Sequence, residues 1–432
     1  MRILKQEIYF PIIVGIHLIF WCIDLYFFSG NFTEVDSDTM FFGRLQNASG
    51  LNSHRIIGEI FSSWVVTVFA FNFLMATRAK WVENLFGGLD KMYLIHKRSG
   101  VIAVILLLAH FIVVPRAIDF NPGKPLGFYA LILILIGVIV SAVPVFKKKI
   151  PYHKWINFHK LMGVFYTLGV IHGFMVDSLI KQLPITRIYV FSMAMIGILA
   201  WVYKAFLFDL FNKKLNYAVK QVKNLGNNIT ELELVAQNKS LNFKAGQFAF
   251  FTFPSINKRE QHPFTISSHP HQKNLKITIK GLGDYTDNFA NKVNINDDVF
   301  VEGPYGKFSS GYSKEKEQVW IAGGIGITPF LALINDYYTN KVVLYWCVNN
   351  ESEAVYKTPL ETIAKSNPLF EFILWNSEKR GHITVDDLSI RDPEKRAYLI
   401  CGPKALKENI TKQLKQEGVK QSSIYDEEFT FR

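Results

Sequence analysis

"HKRSGVIAVILLLAH", residues 96–110, is a helix-length apolar run closed at each end by a histidine. Titratable side chains are costly in hydrocarbon and are found there for a reason. A second run, "FHKLMGVFYTLGVIH" at residues 158–172, carries His159 and His172. With the first pair fourteen positions apart and the second thirteen, each pair is separated by about 20 Å along a helix axis. One metal ion cannot bridge that distance. Two stacked sites can, each taking one imidazole from each helix, and facing axial imidazoles are one way to hold an iron porphyrin between helices. Neutral imidazole is a good ligand, and coordination offsets its desolvation. Any single histidine of the four could instead be structural, as His17 in an earlier run is read to be. Two helices with two depth-matched histidines each argue for ligation. The rotational phase is uneven: fourteen residues return to within about 40° of the starting face, whereas thirteen leave His172 about 140° from His159 on an ideal helix. A bend, tilt or rotamer change in the second run is therefore expected, with Gly163 and Gly169 as candidates.

Outward from these runs the chain of 432 residues divides in two. It is 49% apolar, high for a cytosolic enzyme, and the apolar residues are unevenly placed. Before about residue 212 lie six hydrophobic runs, roughly 8–29, 55–77, 94–115, 125–146, 158–177 and 186–211, each near the ~20 residues a ~30 Å hydrocarbon slab requires. The first follows Arg2 and Lys5, but it is long for a signal peptide and no small-residue cleavage site follows, so a retained helix is expected. Loop charge sets the orientation. Arg2, Lys5, Arg78, Lys80, Lys91, Lys97, Arg98, Lys147, Lys148, Lys149, Lys154 and Lys160 fall on one side; Arg44, Arg55, Arg116, Lys124, Lys181 and Arg187 fall on the other. The richer side is cytoplasmic by the positive-inside rule, which places both termini, His96 and His159 toward the cytoplasm and His110 and His172 toward the outside. The net charge of +12 is then a topology signal and an attraction to anionic lipid, with no nucleic-acid partner implied. Cys22, Cys347 and Cys401 have neither metal-type spacing nor a disulfide framework, which suits a reducing compartment for the second half.

From about residue 216 the pattern changes to short strands: "ITELELVAQ", "GQFAFFTF", "NLKITIKGLG" and "DDVFVEGPYG". Their spacing, with turn residues between, points to a small antiparallel barrel. From 318, "QVWIAGGIGITPFLALINDYY" reads as strand, glycine loop and helix, followed by the strands "KVVLYWCV", "FEFILW" and "AYLICGP" with helical stretches between. This alternation is a nucleotide-binding arrangement. Gly323, Gly324 and Gly326 let backbone approach a diphosphate, and a helix opening near Thr328 and Pro329 offers N–H groups to its charge. Alone, such a loop is also compatible with an ordinary tight strand-to-helix turn.

"QHPFTISS" at 261–268, the glycine loop, and "CGP" at 401–403 occur in an order that resembles the ferredoxin-NADP reductase family. The whole chain resembles bacterial NADPH oxidase homologues, streptococcal type, of the ferric-reductase-like transmembrane superfamily. The resemblance implies a six-helix transmembrane haem domain over 1–215, an antiparallel β-barrel FAD domain over 216–312 and an α/β NAD(P)-binding domain over 313–432. It implies that His262, Pro263, Phe264 and Thr265 line FAD, and that Lys280, Gly283, Asp284 and Thr286 cradle its diphosphate. It further implies that Gly323, Gly324, Gly326, Thr328 and Pro329 hold the nicotinamide cofactor's diphosphate. Cys401, Gly402 and Pro403 would lie beside the nicotinamide, with Cys401 near the hydride path. Phe431, ahead of Phe429, would cover the flavin. An ordinary buried thiol at Cys401 is the alternative there. Similar sequences end the strand after the glycine loop with an arginine able to meet the adenosine 2′-phosphate; here Asn349 stands at that place, which leaves NADH and NADPH both open.

The implied activity is transfer of electrons from cytosolic NAD(P)H through FAD and two bis-histidine haems, b type by resemblance, to O2 at the outer face, with superoxide as product. The nearest rival uses the same path with a ferric or cupric chelate as acceptor. A nucleotide-regulated transporter, or a flavin reductase tethered to the membrane, would leave the matched histidines unexplained. No calcium-binding loop or partner-docking extension is read in the chain, so no obligatory activator is expected. The lipid bilayer is the expected environment, and oligomeric state is not specified by the sequence.

Overall fold

The structure is a computed structural model that describes residues 4–28, 38–41, 44–47, 53–117, 120–212, 214–258, 260–308, 317–334, 341–388 and 390–427. It divides into two compact units: one holds Leu4–Gly87 and Lys91–Phe211, the other Gly88–Asp90 and the chain from Asn212 onward.

The first unit is helical. Its principal helices are α1 (Leu4–Phe28), α2 (Ser53–Ala76), α3 (Leu89–Val113), α4 (Gly123–Ala142), α5 (Tyr152–Lys160), α6 (Met162–Met175) and α7 (Pro184–Val202). α7 continues as one apolar helical stretch to Phe211. Among the described residues, four helices are long and apolar enough to cross a membrane: α2, α3, α4 and the stretch Pro184–Phe211. α2 lies close against α7, and α4 against α6. Small residues permit this: a Cβ on Gly137 would stand 2.3 Å from the Met162 sulfur, and one on Gly197 would stand 2.8 Å from the Tyr166 hydroxyl. Helix packing without a hydrophobic driving force relies on such close approach. Helix starts are capped from other helices. Asp24 accepts hydrogen bonds from the amides of Ile185 and Thr186, and Glu59 accepts from Leu179 and Ile180. Backbone donors that would otherwise be orphaned in an apolar surround are thereby satisfied.

The expected single run over 158–177 is two helices, with the break at Leu161 between α5 and α6. The Lys160 carbonyl, at the last residue of α5, accepts from the Trp201 indole at 2.8 Å. Gly163 makes room for that indole, since a Cβ there would fall 2.1 Å from the ring. Gly169 plays no such part, its nearest neighbour standing at an ordinary 3.9 Å. α5 is polar and buries no residue, whereas α6 buries Met162, Phe165, Tyr166 and Val170. His159 and His172 thus belong to different helices, and the 140° phase expected of one ideal helix does not apply.

The second unit has two sheets. β1 (Leu215–Gly226), β2 (Ile229–Ala236), β3 (Phe248–Thr252), β4 (His262–Thr265), β5 (Leu275–Lys280) and β6 (Asp298–Tyr305) form one in the order β4-β3-β6-β1-β2-β5, every pairing antiparallel. A bridge between Ile266 and Ile277 joins the two outer strands. Alternation dictates which face is inside: Leu232 and Leu234 are fully buried while Glu231 and Glu233, alternating with them, are not, the period-2 pattern of a half-buried strand. The other sheet is parallel, β7 (Gln318–Gly323), β8 (Val342–Val348), β9 (Phe370–Asn376), β10 (Ala397–Cys401) and β11 (Ile424–Glu427) in the order β9-β8-β7-β10-β11. Every residue of β7, β8 and β10 is buried, as expected of strands covered on both faces. Helices α8 (Thr328–Leu333), α9 (Lys357–Ser366) and α10 (Lys404–Gln416) accompany it.

Candidate functional site

In the helical unit, α3 carries His96 and His110, α5 carries His159, and α6 carries His172. The His96 and His159 rings face each other with centroids 6.1 Å apart and planes at 71°. Each of the four imidazoles has a hydrogen-bond partner besides any ligand. His110 Nδ1 donates to the Gly58 carbonyl at 2.8 Å, and His172 Nδ1 to the Gly123 carbonyl at 2.9 Å. A carbonyl can only accept, so each ring carries its proton on Nδ1 and presents Nε2 as a lone pair. His159 Nδ1 lies 3.1 Å from Ser141 Oγ, whose own proton goes to the Gly137 carbonyl. Ser141 therefore accepts, and His159 takes the same tautomer. His96 bonds to the Asn72 backbone, and Asn72 is held by Ser99 at 2.6 Å. Metal-bound histidines are oriented in this way by a second partner.

The surroundings also suit a large planar group. Among the described residues, α3 has no extended close backbone packing against another helix, unlike α2 with α7 or α4 with α6. A Cβ on Gly127 would strike the His172 ring at 2.6 Å, so only glycine lets that imidazole lie against α4. Among the described residues no cluster of three or more His, Cys, Asp or Glu side chains could hold a metal ion. His17 lies elsewhere: its Nε2 is 2.7 Å from Ser63 Oγ and its ring packs edge-on against Tyr189. Arg55 pairs with Glu59 at 3.2 Å and Asp177 at 3.3 Å, a structural role.

In the antiparallel sheet, "HPFT" is β4. His262 stacks on Tyr285 at 3.7 Å, and Phe264 packs against Phe251 and Phe289. Thr265 Oγ1 is buried with no protein partner, an orphaned polar atom of the kind a ligand satisfies. The turn after β5 is internally braced. Asp284 accepts from the Tyr285 amide at 3.0 Å, and Thr286 Oγ1 accepts from the Leu282 amide at 3.0 Å and bonds to the Gly283 carbonyl. Lys280 is paired with Glu353 at 3.1 Å.

In the parallel sheet the glycine loop and the "CGP" turn interlock. Gly324 has φ +52° and Gly402 φ +156°, and a Cβ on Gly326 would lie 2.3 Å from the Cys401 carbonyl oxygen. A Cβ on Gly323 would meet Pro403 and Leu406 at 2.7 Å. Trp346 donates to the Gly324 carbonyl at 2.8 Å, and Thr328 Oγ1 to that of Ile325 at 3.1 Å. Pro329 is buried at the start of α8. The two motifs meet where β7 is flanked by β8 and β10, the reversal of strand order at which open α/β sheets bind ligands.

Cys401 is fully buried, and burial, followed by the charge of Glu427, pushes its thiol well above the ordinary range. It is a protonated thiol, not a thiolate nucleophile. Burial likewise raises the Cys347 thiol, to about 12. Glu427 was not singled out by sequence: both its carboxylate oxygens are buried without a hydrogen-bond partner, and burial raises its carboxyl well above the usual range. Only its place in the last strand, among unremarkable acidic residues, could have marked it. Ser141, Trp346 and the carbonyls of Gly58 and Gly123 were also missed. Phe431 and Phe429 lie outside the described residues.

Three family profiles match successive stretches of the chain. They are described as ferric reductase like transmembrane component over residues 61–170, FAD-binding domain over 214–309, and oxidoreductase NAD-binding domain over 320–412. The chain is an oxidoreductase. It joins a ferric reductase-like transmembrane component to an FAD-binding and an NAD-binding domain, in a multi-pass membrane protein. Dual oxidase 2 of Rattus norvegicus is 29% identical over 214 residues, 48% of this chain and 13% of its own length. Ferric reduction oxidase 3, mitochondrial, of Arabidopsis thaliana is 33% identical over 134 residues, 27% of this chain and 19% of its own. This chain therefore spans a minor part of each relative. A ferredoxin NADP+ reductase from Neisseria gonorrhoeae with bound FAD and NADP aligns with 50% of this oxidoreductase and 99% of its own chain, at 18% identity and a TM-score of 0.43.

Proposed function

We propose that this oxidoreductase is a transmembrane NAD(P)H oxidase that delivers electrons to O2 on the outer face and produces superoxide. Its build would be six membrane helices over residues 1–215, a flavin-binding barrel over 216–312 and a nicotinamide-nucleotide domain over 313–432, with both termini in the cytoplasm. The observation that carries the reading is the set of four imidazoles, each with one nitrogen held by a protein partner. In the three whose partner atoms fix the tautomer, His110, His159 and His172, Nε2 is left to a metal.

His96 with His159 and His110 with His172 would each hold a haem, and His262 to Thr265 with the turn at Lys280 to Thr286 would hold FAD. These groups supply hydride acceptance and one-electron transfer when bound. The residues contribute placement. The carbonyls of Gly58 and Gly123 and the hydroxyl of Ser141 fix ring orientation, and Gly127 admits the His172 ring. The interlocked Gly326 and Gly402 would bring backbone against a diphosphate, and the buried, protonated Cys401 would keep charge away from the nicotinamide end.

A reductase of ferric or cupric chelates is the second reading, favoured by the ferric reductase-like profile over 61–170. Reduction of cytochrome c by the purified full chain separates the two. Under air, at least about nine-tenths of that reduction should be abolished by superoxide dismutase. Cofactor oxidation that ceases without O2 yet recovers fully with a ferric chelate would instead establish the metal reductase.

A further inference from the structure

The glycine loop and the far end of β8 share a pocket lined by Lys280, Gly324, Ile325, Trp346, Glu353 and Tyr356. A dinucleotide whose diphosphate lies on such a loop turns its adenosine ribose toward the end of the next strand. There an acidic side chain meets a ribose 2′-hydroxyl, or an arginine meets a 2′-phosphate. The segment after β8 reads "NNESEAVY", residues 349–356, with two carboxylates and no arginine.

The two carboxylates are differently placed. Glu351 is spent on Lys357, outside the pocket. Glu353 lines the pocket, with Oε2 3.1 Å from Lys280 Nζ and Oε1 accepting from Asn349 Nδ2 at 3.3 Å. An ionised carboxylate has about four lone-pair positions, so it can take a further hydroxyl proton beside these two donors. A 2′-phosphate would add roughly two negative charges at the same place. The cation among the described residues that line the pocket, Lys280, is already ion-paired with Glu353, and like charge next to Glu353 would repel the phosphate. The loop is fixed from the other side as well: Asn227 donates to the Ser352 carbonyl at 2.5 Å, and the Tyr356 hydroxyl bonds to Glu231 at 2.8 Å and Thr278 at 2.7 Å. Glu353 is therefore held in place before any nucleotide arrives.

We infer that Glu353, positioned by Lys280 and Asn349, is the specificity residue that receives the adenosine 2′-hydroxyl and makes the chain an NADH-selective enzyme. The inference rests on the reading of the chain as a reductase of nicotinamide nucleotides. Anaerobic stopped-flow bleaching of the flavin in the purified, FAD-loaded full chain tests it, with NADH and NADPH compared at several concentrations. The unsubstituted chain should show a second-order rate constant at least about tenfold higher for NADH, the discrimination expected when a buried polar partner is matched or mismatched. Glu353→Gln should lower that ratio at least about threefold, and Asn349→Arg with Glu353→Gln should invert it by supplying a guanidinium for the phosphate. The ratio is the readout, because a folding defect slows both nucleotides alike. Equal rates with the two nucleotides, a preference for NADPH, or an unchanged ratio in Glu353→Gln would overturn the assignment. Bleaching by neither nucleotide would overturn the donor reading itself, and this assignment with it.

Discussion

Replacing His110 by alanine should remove one of two haems and stop electron delivery to the outer acceptor, while the flavin is still reduced by nicotinamide nucleotide. The His110 ring is fixed by the Gly58 carbonyl, with Nε2 left free. Alanine deletes the ligand outright, and a single remaining imidazole at that level does not make the paired axial ligation that holds the group. The haem absorbance per flavin should fall by about half, and acceptor reduction by at least about a hundredfold, at or beyond the upper end of what changes in a ligand's supporting shell cause. His172→Ala should give the same spectrum, since the two rings serve one level. His17→Leu is the control: His17 contacts Ser63, Trp64 and Tyr189, so it should leave haem content unchanged. Difference spectra of the purified variants, normalised to flavin, check all three. Full haem content in His110→Ala would refute the ligand assignment.

Gly326→Val should abolish reduction of the flavin by nicotinamide nucleotide and leave the haems intact. The first side-chain carbon would sit 2.3 Å from the Cys401 carbonyl oxygen and 2.9 Å from Gly402 Cα. Both neighbours are backbone, so the loop and the turn must part. A displacement of about 1 Å in a positioning element costs on the order of a hundredfold in rate, and the flavin reduction rate should fall at least that far. Reduction of the haems by dithionite should be unaffected. Stopped-flow absorbance at the flavin and haem bands reads both quantities in one experiment, and a rate within about threefold of the unsubstituted chain would show that the interlock is not part of nucleotide binding.

The histidine register, the change from long apolar runs to alternating strands near residue 212, and the glycine loop were legible because each is a periodicity or a local composition. β2 announces itself through Leu232, Glu233 and Leu234, and β8 through an unbroken apolar run. The break at Leu161 was legible only as an expected bend with Gly163 as a candidate; its partner was not, because the indole that Gly163 admits and that donates to the Lys160 carbonyl comes from residue 201, 41 residues away. The same holds for the partners of the imidazoles. Backbone carbonyls at Gly58 and Gly123 carry no sequence signature, although both are glycines. Glu353 was hidden in plain view, because its neighbour Asn349 drew the comparison with an arginine. Only the pairing of Lys280 with the loop after β8 reveals that the carboxylate lines the pocket. Lys280, expected on a flavin diphosphate, has its side chain paired with Glu353.

The electron path is tested most directly by the absorbance of the purified full chain during anaerobic titration with NADH. Two haems per FAD are expected, both reduced by the nucleotide without dithionite. A chain that binds FAD and oxidises NADH but carries no haem, or carries haem that NADH does not reduce, would contradict it.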